Sequence, residues 1–328
     1  MPGRDRRRIA RRFADHRAVR RPRNWLESRR RTVWPAVEAT PGSVAVVVVN
    51  YQTRRLTAQL IFSLCRIVGR SSFAELLVVD NASTDDSVEY LGALRDAGVL
   101  HLLIEPRQRY HGPALNDGLS WLARERPGTE YVLVVDSDVV ALRPELIADG
   151  VAAMRASGAA LGGQLMPGSP YVPLPCLMMN PRQAWASGLP PFYDDGAPSD
   201  ALQDAVRAAG LGVADIPYGI GTYALHLGAG TLGELFRRGE FGNRFYGWAR
   251  ANHDFSYSSH PLGPWLHERF LELYAEEVAA DTPAALVHAC LREERLTIPE
   301  AQPLPPLEEL AELAEAGVDL ETYLLERS

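Results

Sequence analysis

The chain has 328 residues with an apolar fraction of 46%, enough to bury the core of one large α/β domain or of two ordinary domains. Its formal net charge of −7 is unevenly distributed, because residues 1–35 contain 13 Arg against three acidic residues, whereas the remainder is strongly acidic. The odd set Cys65, Cys176 and Cys290 excludes a complete disulfide framework, and no apolar run approaches the roughly 18 to 20 residues of a membrane helix.

Residues 1–40 form a basic arm that we expect to be largely disordered, because blocks of like charge resist compaction. Two interpretations of the arm stay open: a solvated tail, and a contact with anionic lipid, nucleic acid or an acidic partner. Charged residues stand where a signal peptide would need an apolar core. We therefore expect a cytoplasmic protein, with the arm as its potential contact with the inner face of a membrane.

After Pro41 and Gly42 the chain enters a β-branched run at 44–49, typical of a strand buried on both faces of a parallel sheet. Helical and strand-like patterns then alternate. Helices are predicted near 54–68, 87–97 and 112–124, and strands near 76–79, 100–104 and 131–135. This alternation predicts an α/β fold with a doubly wound, mostly parallel sheet.

The second half of the chain is looser and richer in Gly and Pro. Strand-like pieces are expected near 159–164, 174–179 and 218–227, and helices near 199–209, 266–279 and 306–325. We predict one α/β domain over 41–235 and a mostly helical C-terminal extension over 236–328.

Polar residues follow three of the predicted strands directly, as Asn50-Tyr51, Asp80-Asn81 and Asp136-Ser137-Asp138. Ligands of such sheets bind beyond the carboxyl ends of the strands, so the three clusters predict a binding site there. Asp136 and Asp138 are separated by one residue, and both carboxylates can reach one hard cation that also takes phosphate oxygens. This pattern resembles the D-x-D motif of GT-A glycosyltransferases, specifically that of family 2.

Three further segments resemble motifs of that family in the same order and at similar spacing. Residues 48–53 resemble the end of its first strand, residues 80–87 its VDNxSxDxS segment, and residues 112–118 its GxAxNxG helix. The resemblance covers roughly residues 44–231 and is of the bacterial, rhamnosyltransferase-like type. It implies a GT-A, Rossmann-like fold and a nucleoside-diphosphate sugar as donor.

The resemblance also implies roles for single residues. Asn50 and Tyr51 would flank the nucleotide base, and Asp80, with Asn81 beside it, would hydrogen-bond the base or the ribose. Asn116 would lie near the donor. From the residues alone, Asp80 is also consistent with a helix N-cap or an Asx turn.

Asp136 and Asp138 would contact the ribose and a Mn²⁺ or Mg²⁺ ion on the diphosphate. Such an ion neutralises the negative charge that gathers on the departing nucleoside diphosphate. His226, in the segment 225–231, resembles the His of an HxxGxS/T segment that completes the metal site in many bacterial family 2 enzymes. A core or turn histidine is the alternative, although imidazole is a competent ligand for Mn²⁺.

Inverting sugar transfer needs a carboxylate that takes the proton of the acceptor hydroxyl. The family places this base in an acidic pair before a helix, and the present chain has Tyr193-Asp194-Asp195-Gly196 there, without a strict EDxD motif. Asp195 is the first candidate, followed by Asp194 and Asp200. Asp200 could instead cap the helix that begins near it.

The sequence therefore predicts a metal-assisted, inverting glycosyltransferase that moves a hexosyl or deoxyhexosyl group. Its acceptor could be a glycan, a lipid-linked saccharide, a peptide or a small molecule. Two alternatives remain: a non-catalytic nucleotide- or sugar-binding module of the same fold, and a sugar-1-phosphate nucleotidyltransferase. The latter enzymes carry a Gly-rich phosphate loop after the first strand, where this chain has Asn50-Tyr51-Gln52-Thr53 without glycine.

Overall fold

A computed structural model describes most of the chain. The described residues are 29–165, 169–193, 198–216, 223–228, 230–240, 242–243, 247–248, 262–301 and 307–325. The strands are β1 (Val44–Asn50), β2 (Glu75–Asp80), β3 (His101–Ile104), β4 (Tyr131–Asp136), β5 (Val139–Ala141), β6 (Leu161–Gly163), β7 (Cys176–Met179), β8 (Val213–Asp215), β9 (Ala224–His226), β10 (Gly242–Asn243) and β11 (Gly247–Trp248).

The helices flank these strands. They are α1 (Arg54–Ser63), α2 (Ser87–Asp96), α3 (His111–Glu125), α4 (Leu146–Ser157), α5 (Pro181–Ala184), α6 (Asp200–Ala208), α7 (Gly230–Arg237), α8 (Gly263–Glu277), α9 (Pro283–Cys290), α10 (Leu307–Glu315) and α11 (Leu320–Leu325). A π-helical stretch, Leu64–Gly69, prolongs α1, and short 3₁₀ turns occur at Arg70–Ser72 and Pro299–Ala301. Among the helices that the structure describes, none is both long and apolar enough to cross a membrane.

Seven strands form one twisted sheet in the order β3-β2-β1-β4-β7-β6-β8. Strands β1 to β4 are parallel, whereas β7 runs antiparallel to both β4 and β6. The register aligns Asn50 with Asp80 and Val49 with Asp136, so the carboxyl ends of β1, β2 and β4 lie at one edge. The predicted doubly wound, mostly parallel sheet is thereby confirmed.

Both faces of this sheet are buried, which explains the continuous apolar run of β1. Val44, Val46 and Val48 face a core shared with α1, α2 and α4, whereas Val47 and Val49 face a core built on α3. Since successive side chains of a strand point to opposite faces, every position of the run must be apolar. The strand therefore shows no alternation of polar and apolar residues.

The C-terminal helices share the first of these cores. Leu266 and Phe270 of α8 and Leu286 of α9 belong to the same buried cluster as Val46 and Phe62. An ion pair adds to this contact, since the buried Arg66 of the π-helical stretch binds Glu277 at the end of α8. The described part of the extension is thus packed on the sheet domain.

Residues 29–40, which fall inside the predicted arm, lie against the domain. Trp34 is buried in the α3 core, and its backbone N–H donates to the carbonyl of Trp185 at 3.2 Å. The indole N–H of Trp185 donates in turn to the carbonyl of Thr32 at 2.9 Å. Residues 1–28 lie outside the described part of the chain.

Two predicted elements differ from the structure. The helix predicted over 306–325 is two helices, α10 and α11, because Gly317 adopts a left-handed conformation with φ of 76° and ends the first. The strand predicted over 218–227 is present as Ala224–His226, and residues 217–222 lie outside the described part. Helices α4, α5, α7 and α9 were not predicted.

Candidate active site

The site is built where β4 ends and β5 begins. Asp136 is the last residue of β4, and Asp138 precedes β5 after a turn of one residue. Strand β9 pairs antiparallel with β5 and aligns His226 with Val139, and the backbone N–H of Leu227 donates to the carbonyl of Asp138 at 2.9 Å. This pairing brings His226 to Asp138 although 87 residues separate them in the chain.

Asp136, Asp138 and His226 each offer one ligand atom, and these atoms lie within 4.8 Å of one another. His226 Nε2 is 3.5 Å from Asp138 Oδ1. Asp138 is buried, and Asp136 Oδ1 is a buried atom with no hydrogen-bond partner among the described residues. Two carboxylates and one imidazole around a shared gap match the donor set that Mn²⁺ accepts.

The charges of the three residues act on one another. Burial raises the pKa of Asp136, the charge of Asp138 raises it further, and His111 opposes both effects. Burial would also raise the pKa of Asp138, but the hydrogen bond and charge of His226, with the backbone N–H of Gly230, hold this pKa below its ordinary value. A cation between the carboxylates would remove their repulsion.

His226 shows the converse shift. Burial alone would lower the pKa of its imidazole, but the hydrogen bond to Asp138 and the charges of Asp138 and Asp136 raise it. The chain continues through Gly228, whose φ of 71° is left-handed, into the N-terminus of α7. The amino end of α7 thus adds a positive electrostatic contribution beside Asp138.

These residues face one cavity of about 280 Å³ at the carboxyl edge of the sheet. Its lining consists of Val49, Tyr51, His111, Asp136, Ser137, Asp138, His226, Gly228, Gly230, Thr231 and Leu232. Thr231 Oγ1 donates to the carbonyl of Tyr51 at 3.0 Å, which ties α7 to the end of β1. Of the predicted donor-site residues, the structure brings Tyr51, Asp136, Asp138 and His226 together on this cavity.

Asn50 and Asp80 do not line the cavity; both are fully buried and bind each other. Asn50 Nδ2 donates to Asp80 Oδ2 at 2.7 Å, and Asn50 Oδ1 accepts from the hydroxyls of Thr53 and Thr57. Asp80 Oδ1 accepts from the backbone N–H of Ser83 at 2.9 Å, which closes an Asx-type turn. Both side chains therefore organise the loops after β1 and β2, and their contact with a donor stays a prediction.

The side chain of Asn81 also binds backbone groups, and it does not line the cavity. Its amide donates to the carbonyl of Tyr110 at 3.0 Å and accepts from the N–H of Arg109 at 2.8 Å. Tyr110 has a left-handed φ of 64°, an unfavourable conformation for a bulky residue. Asn81 thus clamps the loop between β3 and α3.

Of the three candidate base residues, the structure describes only Asp200. Asp194 and Asp195 fall outside the described residues. Asp200 is the first residue of α6, whose N-cap is Ser199, and it does not line the cavity. Two residues before the acidic pair, Phe192 is bound through its backbone to the buried side chain of Asn116.

His111 is a site residue that the sequence analysis missed. It is the first residue of α3, lines the cavity, and places Nε2 3.3 Å from Asp136 Oδ1. The signal available in the sequence was its position directly before the motif that begins at Gly112. The motif at 112–118 predicted Asn116 as the site residue instead.

Comparison with known proteins identifies the class of the domain. Residues 43–170 match the model of glycosyl transferase family 2, a segment that contains Asp136 and Asp138 and ends before His226. The predicted resemblance to family 2 is thereby confirmed over this segment, and with the sheet topology it confirms the GT-A fold. No curated protein sequence matches the chain significantly.

Several solved structures are similar at low identity. S. aureus TarS 1–349 is 17% identical over 53% of this chain, with a TM-score of 0.41, and the match spans 58% of that TarS fragment. Glucosyl-3-phosphoglycerate synthase from Mycobacterium tuberculosis, in complex with Mn²⁺, uridine diphosphate and glucosyl-3-phosphoglycerate, is 19% identical over 54% of this chain and 70% of its own, with a TM-score of 0.42.

A third similar structure extends over most of both chains. The mannosyltransferase PcManGT from Pyrobaculum calidifontis, in complex with GDP-Man and Mn²⁺, is 17% identical over 93% of this chain and 89% of its own, with a TM-score of 0.45.

Proposed function

We propose that the protein is a glycosyltransferase that moves a hexosyl or deoxyhexosyl group from a nucleoside-diphosphate sugar to an acceptor hydroxyl. The observation that carries the proposal is the convergence of Asp136, Asp138 and His226 on one cavity. This cavity lies at the carboxyl edge of a parallel sheet, where such folds bind nucleotides. The family 2 match over residues 43–170 supports the same class of reaction.

Asp136, Asp138 and His226 would hold the divalent cation, Mn²⁺ or Mg²⁺. Their fit rests on the short distances among the three ligand atoms and on the unpartnered, buried Oδ1 of Asp136. Once bound, the cation would supply positive charge against the departing nucleoside diphosphate. The imidazole of the set favours Mn²⁺ over Mg²⁺.

The proposed transfer is a single displacement with inversion at the anomeric carbon. An acidic side chain of residues 194–200 would take the proton of the acceptor hydroxyl, with Asp195 as first candidate and Asp194 and Asp200 after it. The anchoring of Phe192 by Asn116 supports this assignment, because it fixes the start of the acidic segment beside the amino end of α3. The amino end of α3 carries His111, which lines the cavity.

The proposal is tested by incubating the full chain with Mn²⁺ and UDP-, GDP-, ADP- and dTDP-sugars, and by measuring the release of nucleoside diphosphate without acceptor. One base should be preferred, and Asp138→Ala should remove the release. Asp204→Ala is the matched control, since its side chain is exposed and does not line the cavity. Binding of a nucleotide without release from any sugar would favour a non-catalytic module, and absence of both would refute the proposal.

A further inference from the structure

The side chain of His111 lines the cavity beside Asp136. Its Nε2 is buried and, like Asp136 Oδ1 at 3.3 Å, has no hydrogen-bond partner among the described residues. The two atoms lie close enough for an ion pair, but their geometry is not that of a hydrogen bond. A buried ring nitrogen and a buried carboxylate oxygen that make no hydrogen bond indicate that a bound group completes this part of the site.

The backbone before His111 is held in a strained conformation, and the imidazole ring of His111 lines the cavity. The left-handed Tyr110 precedes it, and the buried Asn81 grips both the carbonyl of Tyr110 and the N–H of Arg109. Such strain persists only where the surroundings enforce it, and it clusters at ligand sites. Asn81, which directly follows β2, therefore fixes the backbone that leads into His111.

The backbone after His111 is fixed by a second contact, between Gly112 and Tyr193. Gly112 packs directly on Tyr193, and a Cβ at this position would collide with the carbonyl of that residue. His111 also begins a helix of 15 residues, whose first N–H groups and dipole favour an anion at this end. The ring, the helix end and the cavity thus face the same space.

The side chains that line the cavity provide little positive charge for a bound diphosphate. Asp136 and Asp138 would be neutralised by a divalent cation, but a diphosphate brings further negative charge. Among the described residues that line the cavity there is no Arg, and His226 is already engaged with Asp138. His111 is the side chain of this lining that has a nitrogen left to donate to a phosphate oxygen.

We propose that His111 binds the diphosphate of the donor, with its Nε2–H donating to a phosphate oxygen while Asp136 turns to the cation. This inference rests on the proposed function, because it requires a nucleoside-diphosphate donor in the cavity. It assigns recognition of the phosphates to a residue outside the D-x-D pair. Asn81 would then be a positioning residue that acts through Tyr110.

The test compares calorimetric titrations of wild-type protein and of H111L, H111N and H111Q. Each is titrated, with Mn²⁺ present, with the best-binding diphosphate of UDP, GDP, ADP and dTDP, and with the corresponding nucleoside. H111L should bind the diphosphate roughly 10- to 100-fold more weakly, as expected for loss of a hydrogen bond to a charged group, with unchanged affinity for the nucleoside. H111Q, whose amide reaches about as far as Nε2, should recover most of the affinity, whereas the shorter H111N should not.

The matched control is H101L, because His101 lies on β3 and pairs with Glu75 at 2.8 Å, away from the cavity. Equal diphosphate affinity in H111L and wild type would overturn the inference, as would an equal loss for diphosphate and nucleoside. Loss of Mn²⁺ binding by H111L without nucleotide would also overturn it, since His111 would then be a metal ligand. If the wild type binds no diphosphate of the panel, the proposed function itself fails.

Discussion

Asn116 binds the backbone of Phe192 as a neighbouring strand would. Its side-chain amide donates to the carbonyl of Phe192 at 2.8 Å and accepts from the N–H of the same residue at 3.0 Å. Asn116 is buried in α3, so the two hydrogen bonds lie away from solvent. The resemblance implied a place for Asn116 near the donor, and the structure shows it holding the chain just before Asp194 and Asp195.

Asn116→Ala should therefore lower both stability and turnover. Removing the amide leaves the N–H and the carbonyl of Phe192 without their partner, at a cost of about 2–4 kcal/mol in the free energy of unfolding. If the acidic segment carries the base, its displacement should lower kcat more than it changes donor KM. Denaturant unfolding and steady-state kinetics on the same preparation measure the two effects.

Gln203→Ala provides the matched control. Gln203 is equally buried and makes the same pair of bonds with Val172, accepting from its N–H at 2.9 Å and donating to its carbonyl at 2.8 Å. Its stability loss should be similar, whereas its kcat should stay near that of the wild type. Equal kinetic losses in the two variants would show that Asn116 acts only through general stability.

The base is tested by converting carboxylates to amides. Asp195→Asn should lower kcat by about 10²- to 10⁴-fold with little change in donor affinity, the usual effect of losing a general base. Asp200→Asn should change little if this first residue of α6 serves the helix alone. If Asp195→Asn, Asp194→Asn and Asp200→Asn all keep full activity with an identified acceptor, the single-displacement mechanism has no base in this segment.

Much of the fold could be predicted because local signals and tertiary structure agree. The run Val44–Val49 is apolar at every position, and only a strand covered on both faces requires that pattern. The break at Gly317 was missed because a glycine inside a helical pattern does not show whether it ends the helix. The short α7 was missed because packing on α1 and β1 stabilises it more than its local sequence does.

The site was partly predictable for the same reason. Asp136 and Asp138 stand together in the sequence, so their shared chemistry is visible without a structure. The role of Asn50 as a partner of Asp80 depends on the register between β1 and β2, which no local pattern contains. His111 approaches Asp136 only through the strained turn at Tyr110, so its position could not be inferred from spacing.

His267 should make the protein less stable in mild acid. It is buried in α8, and burial together with the charges of Arg55 and Arg237 lowers its pKa to about 4. The unfolded chain, with an ordinary histidine pKa of about 6.5, binds the proton more readily, so stability is full above about pH 6.5 and falls as the pH drops toward 4. The difference between pH 7 and pH 5 should be about 2 kcal/mol for this group.

His267→Gln should remove that part of the pH dependence, whatever it costs at pH 7. Denaturant unfolding at pH 7 and pH 5 measures the change for both proteins. His101→Gln is the control, since this side chain is 39% exposed and lies outside the α8 contact. Identical pH dependence in wild type and His267→Gln would show that the neutral, buried histidine is not the cause.

The arm can be removed at two places with different consequences. Deleting residues 1–28 takes away ten Arg and three acidic residues, and should leave the fold intact while lowering binding to anionic vesicles at low salt. Deleting residues 1–36 also removes Trp34 from the core and should cost about 3–5 kcal/mol in stability. Vesicle co-sedimentation and thermal unfolding measure these effects, and a 1–28 deletion with unchanged adhesion would favour the solvated tail.

The metal-dependent donor site is tested most directly by calorimetric titration of wild type and Asp138→Ala with nucleoside diphosphates, with and without Mn²⁺. Asp138 lies in the turn before β5 rather than inside the sheet, so the variant should fold, and its melting temperature checks this. We predict that the wild type binds one diphosphate preferentially and only weakly without Mn²⁺, whereas the folded Asp138→Ala variant loses the Mn²⁺-dependent part. Asp204→Ala should match the wild type. Equal affinity in wild type and in folded Asp138→Ala, with Mn²⁺ present, would contradict the assignment of Asp136, Asp138 and His226 as the metal site.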